Sequence, residues 1–265
     1  MSIGEAALHD RSFKGIKSML WSAAIALLCT TEVAAETFSS RDGFVIILPS
    51  GWAEAPPEAL QNIEASIREF SQGATAQKYD YGYQLSSALT WFEYPYILVQ
   101  VNRKGRVPEG QLTQYKKLDA GFDQGVERIE KSLGGIASIT KHGENLYDES
   151  SHILWRRMDM EVQGVGAVRA VIAVKLTEFG YIQLMGYATE DTFLRYAPVF
   201  QAAFRTLKVA EADRYRPRLT DHAPTFLGVN LGRVAIAALV GALLGGVGAL
   251  INYLRNKRQG ARLTS

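Results

Sequence analysis

"AVIAVKLTEFGYIQLMGYA", residues 170–188, decides the fold. Two apolar stretches rich in β-branched and aromatic residues flank the short break "TEFG". Two strands with so short a connection pair antiparallel, because a parallel partner needs a crossover of about a dozen residues or more. Moving outward, "GAVRAVIAVKL" (166–176) and "GYIQLMGYA" (180–188) follow "HILWRRMDMEV" (152–162), with "QGVG" between. "IASITKHG" (136–143) comes before them. Strands in series with short breaks predict an antiparallel meander.

The meander is framed by helices. "TEDTFLRYAPVFQAAFRTLKV" (189–209) places Phe193, Tyr196, Phe200, Phe204 and Leu207 toward a sheet. Thr189 reads as its N-cap, with Glu190 and Asp191 at the positive end of the dipole. Pro198 should kink or split it. Upstream, "PPEALQNIEASIREF" (56–70) repeats Leu60, Ile63, Ile67 and Phe70 at helical spacing, with prolines at its start. "PEGQLTQYKKLDAGFDQGVERIEKSLGG" (108–135) predicts a further helix ended by Gly134. "GFVIILPSGW" (43–52) is a strand stopped by Pro49 and Gly51, and "ALTWFEYPYILVQV" (88–101) has strand character throughout. Strand, helix, strand, helix, several strands, helix is the order of an α+β fold, an antiparallel sheet flanked by helices.

These residues resemble the PsbP-like fold. "FVIILPSGW" (44–52) matches its opening strand with phenylalanine, proline and tryptophan at fixed spacing. The hairpin at 170–188 and "YAPVF" (196–200) in the last helix match its closing part. The resemblance spans most of residues 38–210. It implies an α/β/α sandwich that serves as a binding or assembly factor rather than an enzyme. A C-terminal membrane anchor and a tyrosine-rich segment are not general features of that group. The matching positions are core and turn positions, so no functional residue carries over.

The two ends read differently from the middle. Arg11, Lys14 and Lys17 precede the apolar "MLWSAAIALLCTTEVAA" (19–35), and Val33 and Ala35 are the small residues before a cleavage point at Glu36. Residues 1–35 therefore read as a signal peptide or a signal anchor. The single cysteine, Cys29, lies inside it, which leaves the mature chain without thiols for disulfides, nucleophilic attack or metal ligation. At the other end no residue from Val234 to Leu254 is charged. A helix of that length covers about 30 Å, the hydrocarbon thickness of a bilayer. The expected organisation is an extracytoplasmic α+β domain over 36–212 and a linker over 213–232. A single transmembrane helix over 233–254 and a basic cytoplasmic tail over 255–265 follow. The domain is then periplasmic and the protein single-pass. Gly241, Gly245 and Ala249 put small residues one turn apart, the pattern by which helices pack closely in lipid. They are candidates for a homodimer contact through the transmembrane helix.

The middle domain carries a slight excess of acidic residues and no basic patch for nucleic acid. "RKGR" (103–106) reads as a solvated turn at a strand end. His142 with Glu144, and Ser151 with His152, are the pairs from which chemistry could be built, but neither has a third group at a recognised spacing. Glu178, Glu190 and Asp191 are loop carboxylates, and the last two already have a reason as helix N-terminal charges. No cofactor and no metal are called for. The unusual segment is "YDYGYQLSSALTWFEYPY" (79–96). If extended, it puts Tyr79, Tyr81 and Tyr83 on one face, with Trp91, Tyr94 and Tyr96 close behind. That face is a candidate surface for an envelope protein partner or for sugar rings; the alternative is that these side chains fill the core under the second helix or flank a hairpin. The reading that follows is a non-enzymatic, membrane-anchored binding or assembly protein, with an anchored envelope hydrolase of glycan or ester as the alternative.

Overall fold

The computed structural model describes residues 34–70, 78–110, 130, 137–143 and 145–222. In chain order they give β1 (Ala35–Ser39), β2 (Phe44–Pro49), β3 (Trp52–Glu54), α1 (Pro57–Phe70), β4 (Tyr81–Leu85) and β5 (Tyr96–Asn102). Then come β6 (Ala137–His142), β7 (Leu146–Asp148), β8 (Ile153–Val162), β9 (Gly166–Thr177) and β10 (Gly180–Thr189). Helix α2 (Glu190–Arg205) and β11 (Lys208–Val209) close the series, followed by two 3-10 turns, Glu211–Asp213 and Leu219–His222.

The hairpin over 170–188 forms with Thr177 opposite Gly180, so Glu178 and Phe179 alone make the loop. Among the described residues the strands fall into two antiparallel sheets. The larger runs β3-β4-β5-β10-β9-β8-β6, with β7 also on β8; the smaller runs β1-β2-β11. Strand β10 lies between β5 and β9, and its first nine residues are all buried. Burial on both faces makes such a strand apolar without alternation. Tyr181, Met185 and Tyr187 point to one core, where Leu60, Ile63 and Ile67 of α1 meet them. Ile182, Leu184 and Ala188 point to the other, beneath Phe193, Phe200 and Phe204 of α2 and beside Phe44, Ile46 and Leu48 of β2. The sheet therefore lies between α1 and α2, an α/β/α layering.

Several expectations are corrected. Helix α2 runs unbroken through Pro198. Proline removes the N–H that would bond the Leu194 carbonyl, but Leu194 and Pro198 both lie on the exposed side of the helix, where a freed carbonyl can be hydrated. Thr189 does occupy the N-cap position in extended conformation, yet its hydroxyl pairs with that of Thr192 at 2.8 Å rather than with a backbone N–H. Of "ALTWFEYPYILVQV", only Tyr96 onward is strand. Before it the chain turns, with Phe92 at φ 64° and the Tyr94–Pro95 peptide cis. The Phe92 ring is buried against Gly82, where a β-carbon would come within 2.8 Å of it. The short strands β1, β7 and β11 carry no periodic signal long enough to read. Most of the helix expected over 108–135 lies outside the described residues, as do residues 1–33 and 223–265. Among the described residues no helix is long and apolar enough to cross a membrane.

The close seat of α2 on β10 depends on Gly186. A β-carbon there would stand 2.4 Å from Cγ of Phe200. Gly186→Ala overpacks this contact and lowers the unfolding free energy by about 1–3 kcal/mol. A thermal melt of the full chain reads the loss, and Phe200→Leu in the same chain restores part of it. An unchanged melting temperature in the single variant would contradict this packing.

Candidate functional site

The tyrosines do not share an exposed face. Tyr79, Tyr81, Tyr83 and Tyr96 are all buried. Strand β4 starts only at Tyr81, after a bend at Asp80 whose N–H donates to the Val99 carbonyl at 2.9 Å and whose Oδ2 accepts from the Val101 N–H at 2.8 Å. The bend reverses the alternation. Tyr79 enters the core under α1, and Tyr81 and Tyr83 enter the core under α2. Tyr81 donates to Asp42 Oδ2 at 2.6 Å. Tyr96 packs its ring 5.0 Å from that of Tyr187. Trp91 and Tyr94 are half-buried against the same core as Tyr79. Burial pushes the hydroxyls of Tyr79, Tyr83 and Tyr96 well above the ordinary tyrosine range. Tyr79, Tyr81, Tyr83 and Tyr96 build the interior, and only Trp91 and Tyr94 of the six stay partly exposed. Gly241, Gly245 and Ala249 lie outside the described residues.

The histidine pairs fare differently. His142 ends β6, and Glu144 lies outside the described residues. Ser151 and His152 do not meet as nucleophile and base. The Ser151 hydroxyl donates to Asp148 Oδ2 at 2.7 Å. This bond and a second from Ser150 hold Asp148 down to about 2. His152 turns its Nδ1 to Glu109 Oε1 at 3.2 Å and to the Tyr147 hydroxyl at 3.3 Å. Tyr147 in turn donates to Glu109 Oε1 at 2.7 Å. Among the described residues no group of three His, Cys, Asp or Glu is placed to hold a metal ion.

His152 leads into a buried polar network that sequence reading missed. Glu109 is 6% exposed, and its N–H donates to the Tyr215 hydroxyl at 2.8 Å. Tyr215 donates on to Asp221 Oδ2 at 3.0 Å. Asp221, 4% exposed, faces both terminal nitrogens of Arg106, with Nη2 at 2.6 Å from Oδ2. The same guanidinium reaches Glu178 Oε1 at 3.2 Å and the Arg216 carbonyl at 2.8 Å, and it lies 4.4 Å over the Tyr215 ring. Arg106 is thus no solvated turn residue; of its neighbours, Lys104 keeps that role, while Arg103 is exposed but pairs with Asp42 Oδ1 at 3.3 Å and lies 4.0 Å over the Phe179 ring. The Arg106 guanidinium holds the Asp221 carboxyl well below the usual carboxylate range. The network clamps residues 211–222 onto the β9–β10 loop. The Glu178 N–H also donates to the Asp213 carbonyl at 3.0 Å, and Thr177 bridges Arg214. The domain therefore continues through Asp221, and residues 213–222 are not free linker.

Two openings lie among the described residues. A cleft of about 250 Å³ beside α1 is lined by Glu54, Glu64 and Asp80, with Arg41 and Lys78. Burial raises Glu54 and Glu64 above the usual carboxylate range. Glu64 is already committed, accepting from the Tyr79 N–H at 2.9 Å. A larger groove of about 530 Å³ lies between the last turns of α2 and strands β8 and β9. Val171, Trp155 and Leu146 give it apolar walls, and Arg156, Arg157, Gln201 and Arg205 give it polar ones. Its volume is that of a small-molecule or side-chain pocket. Arg205 stands 5.4 Å over the Trp155 ring, and Trp155 stacks on Phe204 at 6.4 Å. Arg156 donates to Asn145 Oδ1 at 3.1 Å. Arg157 and Arg205 are exposed and lie in no ion pair with a described carboxylate. Among the described residues no carboxylate lines the groove.

The clamp makes a pH prediction with a definite sign. Asp221 has a depressed pKa in the folded chain, so its contribution is complete above the unfolded value of about 3.9 and is lost as pH falls below it. The protection factors of residues 211–222, that is, exchange corrected for its intrinsic pH dependence, should stay constant from neutral pH to about pH 5 and fall below about pH 4. Asp221→Asn should raise that exchange about 100-fold at neutral pH, the effect of roughly 3 kcal/mol for a broken buried pair. Unchanged exchange in the variant would mean the strap is held elsewhere.

No protein-family model matches the chain, and no curated protein does. Among solved structures it is similar to cyanobacterial PsbP (CyanoP) from Synechocystis sp. PCC 6803, with 12% identity and a TM-score of 0.43. That alignment covers 67% of this chain and 93% of that one. It is also similar to a protein of Bacteroides thetaiotaomicron VPI-5482, with 12% identity and a TM-score of 0.35, over 70% of this chain and 54% of that one. The first of the two is a PsbP, the family that the strand and helix motifs resemble; at these scores neither likeness bears on what the chain binds or does.

Proposed function

We propose that this chain is a membrane-anchored extracytoplasmic binding or assembly protein without catalytic chemistry of its own. Residues 1–35 export it, the α+β domain lies outside the cytoplasm, residues 233–254 span the bilayer as one helix, and 255–265 form a cytoplasmic tail. The observation that carries this reading is the clamp on residues 211–222. It stops 11 positions before Arg233 (233 − 222), the residue that precedes the uncharged run from Val234 to Leu254. An extended chain reaches at most about 3.5 Å per residue, so a tether this short holds the domain close to the bilayer. The groove beside α2 supplies a surface that the fold itself does not fill. The start of the domain suits export as well. Cleavage before Glu36 would leave the β1–β2 register from Glu36 opposite Leu48 onward. Gly241, Gly245 and Ala249 would let two such helices pair in the membrane. A hydrolase built on His152 is less well supported, because its Nδ1 faces Glu109 and Tyr147.

Membrane vesicles test the arrangement. The full chain should resist carbonate extraction. Protease added to the outer face should digest the domain while a tag on the C-terminal tail stays protected. Crosslinking in the intact envelope should then give a discrete adduct with another envelope component. A chain released by carbonate, or a tail cut before the domain, would overturn the anchored reading.

A further inference from the structure

We infer that the groove between α2 and strands β8 and β9 binds a small amphipathic anion, a carboxylate or phosphate carried on an apolar or aromatic body. The inference rests on the reading of the chain as a binding protein and names what this site would take. Three observations carry it. First, the groove is large enough for such a ligand, at about 530 Å³. Second, its walls are chemically divided. Val171 is buried at its floor, Trp155 is half-buried beside it, and Leu146 is 63% exposed at its edge. An exposed leucine beside a half-exposed tryptophan marks apolar surface that a ligand can cover. Third, the described charges at the mouth are of one sign. Arg157 projects from β8 and Arg205 from the last turn of α2, with Gln201 one turn earlier, and among the described residues no carboxylate lines the groove.

The described arginines of the domain divide into those that meet a described carboxylate and those, among them Arg41, Arg68 and Arg195, that do not. Arg106, Arg169 and Arg218 each face a carboxylate within hydrogen-bond distance. Arg157 and Arg205 face none among the described residues and converge on the same apolar groove. A guanidinium presents a planar fork of donors that matches carboxylate and phosphate oxygens, and two of them over a partly dry floor favour an anion over a neutral ligand. Arg205 already lies over the Trp155 ring, which fixes the guanidinium plane without satisfying its charge. The apolar body of the ligand would lie along Trp155, Val171 and Leu146, and Gln201 could donate to the same anionic head.

The test uses the full chain in nanodiscs of neutral phosphatidylcholine, with empty nanodiscs as the baseline. The probes are 1-naphthyl phosphate, 1-naphthoate and the neutral 1-naphthalenemethanol, and tryptophan emission is the readout. Both anions should bind saturably, more weakly as salt rises, and the neutral alcohol should not. Arg157→Gln with Arg205→Gln should weaken binding at least tenfold. Both positions are exposed, so the melting temperature should not move. Gln201→Glu, which adds a negative charge and keeps both arginines, should weaken it as well. Tighter binding of the phosphate assigns the ligand to phosphate esters, and tighter binding of the naphthoate assigns it to carboxylates. Failure of both anions to bind, equal binding of the alcohol, or unchanged binding in the double variant would overturn the inference. The carbonate and protease results on the same chain are read independently, so the anchored reading can stand where this one falls.

Discussion

Everything in the domain depends on β10 being buried on both faces. A strand between two others, with aromatic residues to one side and aliphatic residues to the other, has no face to give to water. It therefore needs a helix layer above and another below. Helix α2 satisfies one side because β10 runs directly into it at Thr189 and the chain folds back over its own strand. Helix α1 satisfies the other from far away in sequence. The small sheet of β1, β2 and β11 then closes the side of the α2 core that the helix alone does not cover.

The same constraint explains which parts of this arrangement are legible in the sequence. Strands β6, β8, β9 and β10 and helices α1 and α2 announce themselves because their apolar residues repeat over ten residues or more, or are bounded by clear breaks. Pro198 misleads because the cost of an interior proline depends on where the lost hydrogen bond points, and here it points to solvent. The tyrosine segment misleads for a related reason. Alternation along a strand predicts a shared face only if the strand is continuous, and the hydrogen bonds of Asp80 to Val99 and Val101 start β4 later than the pattern suggests. With the bend in place, four of the tyrosines become the large side chains that fill the two cores.

The candidate sites are less legible than the fold, since both are assembled by residues far apart in sequence. Arg106, Glu178 and Asp221 are separated by 72 and 115 residues from one partner to the other. In the sequence Arg106 is the last letter of a basic turn, and Asp221 sits in a stretch that reads as linker. The groove likewise takes Leu146 from a three-residue strand, Trp155 and Arg157 from β8 and Arg205 from α2. No spacing along the chain joins them. Only Trp155 carries a hint, as a tryptophan among arginines in "LWRR" (154–157), and that hint does not distinguish a core residue from a site residue.

What separates the two sites is where their charges end. At the clamp, each charged group is met: Arg106 by Asp221, Glu178 and a carbonyl, Asp221 also by Tyr215 and by the Arg218 N–H at 2.8 Å. Burying charge is costly unless it is paired and hydrogen-bonded throughout, and a network satisfied to this degree has little left to offer a ligand. Its consequence is mechanical, since it fixes the direction in which the chain leaves the domain. At the groove the balance is opposite. Two guanidinium groups remain exposed over an apolar floor, and among the described residues neither a carboxylate neutralises them nor a side chain covers the floor. Holding like charges near one another gains the folded domain nothing, so the arrangement is better explained by an anion that arrives from outside than by any stability it confers.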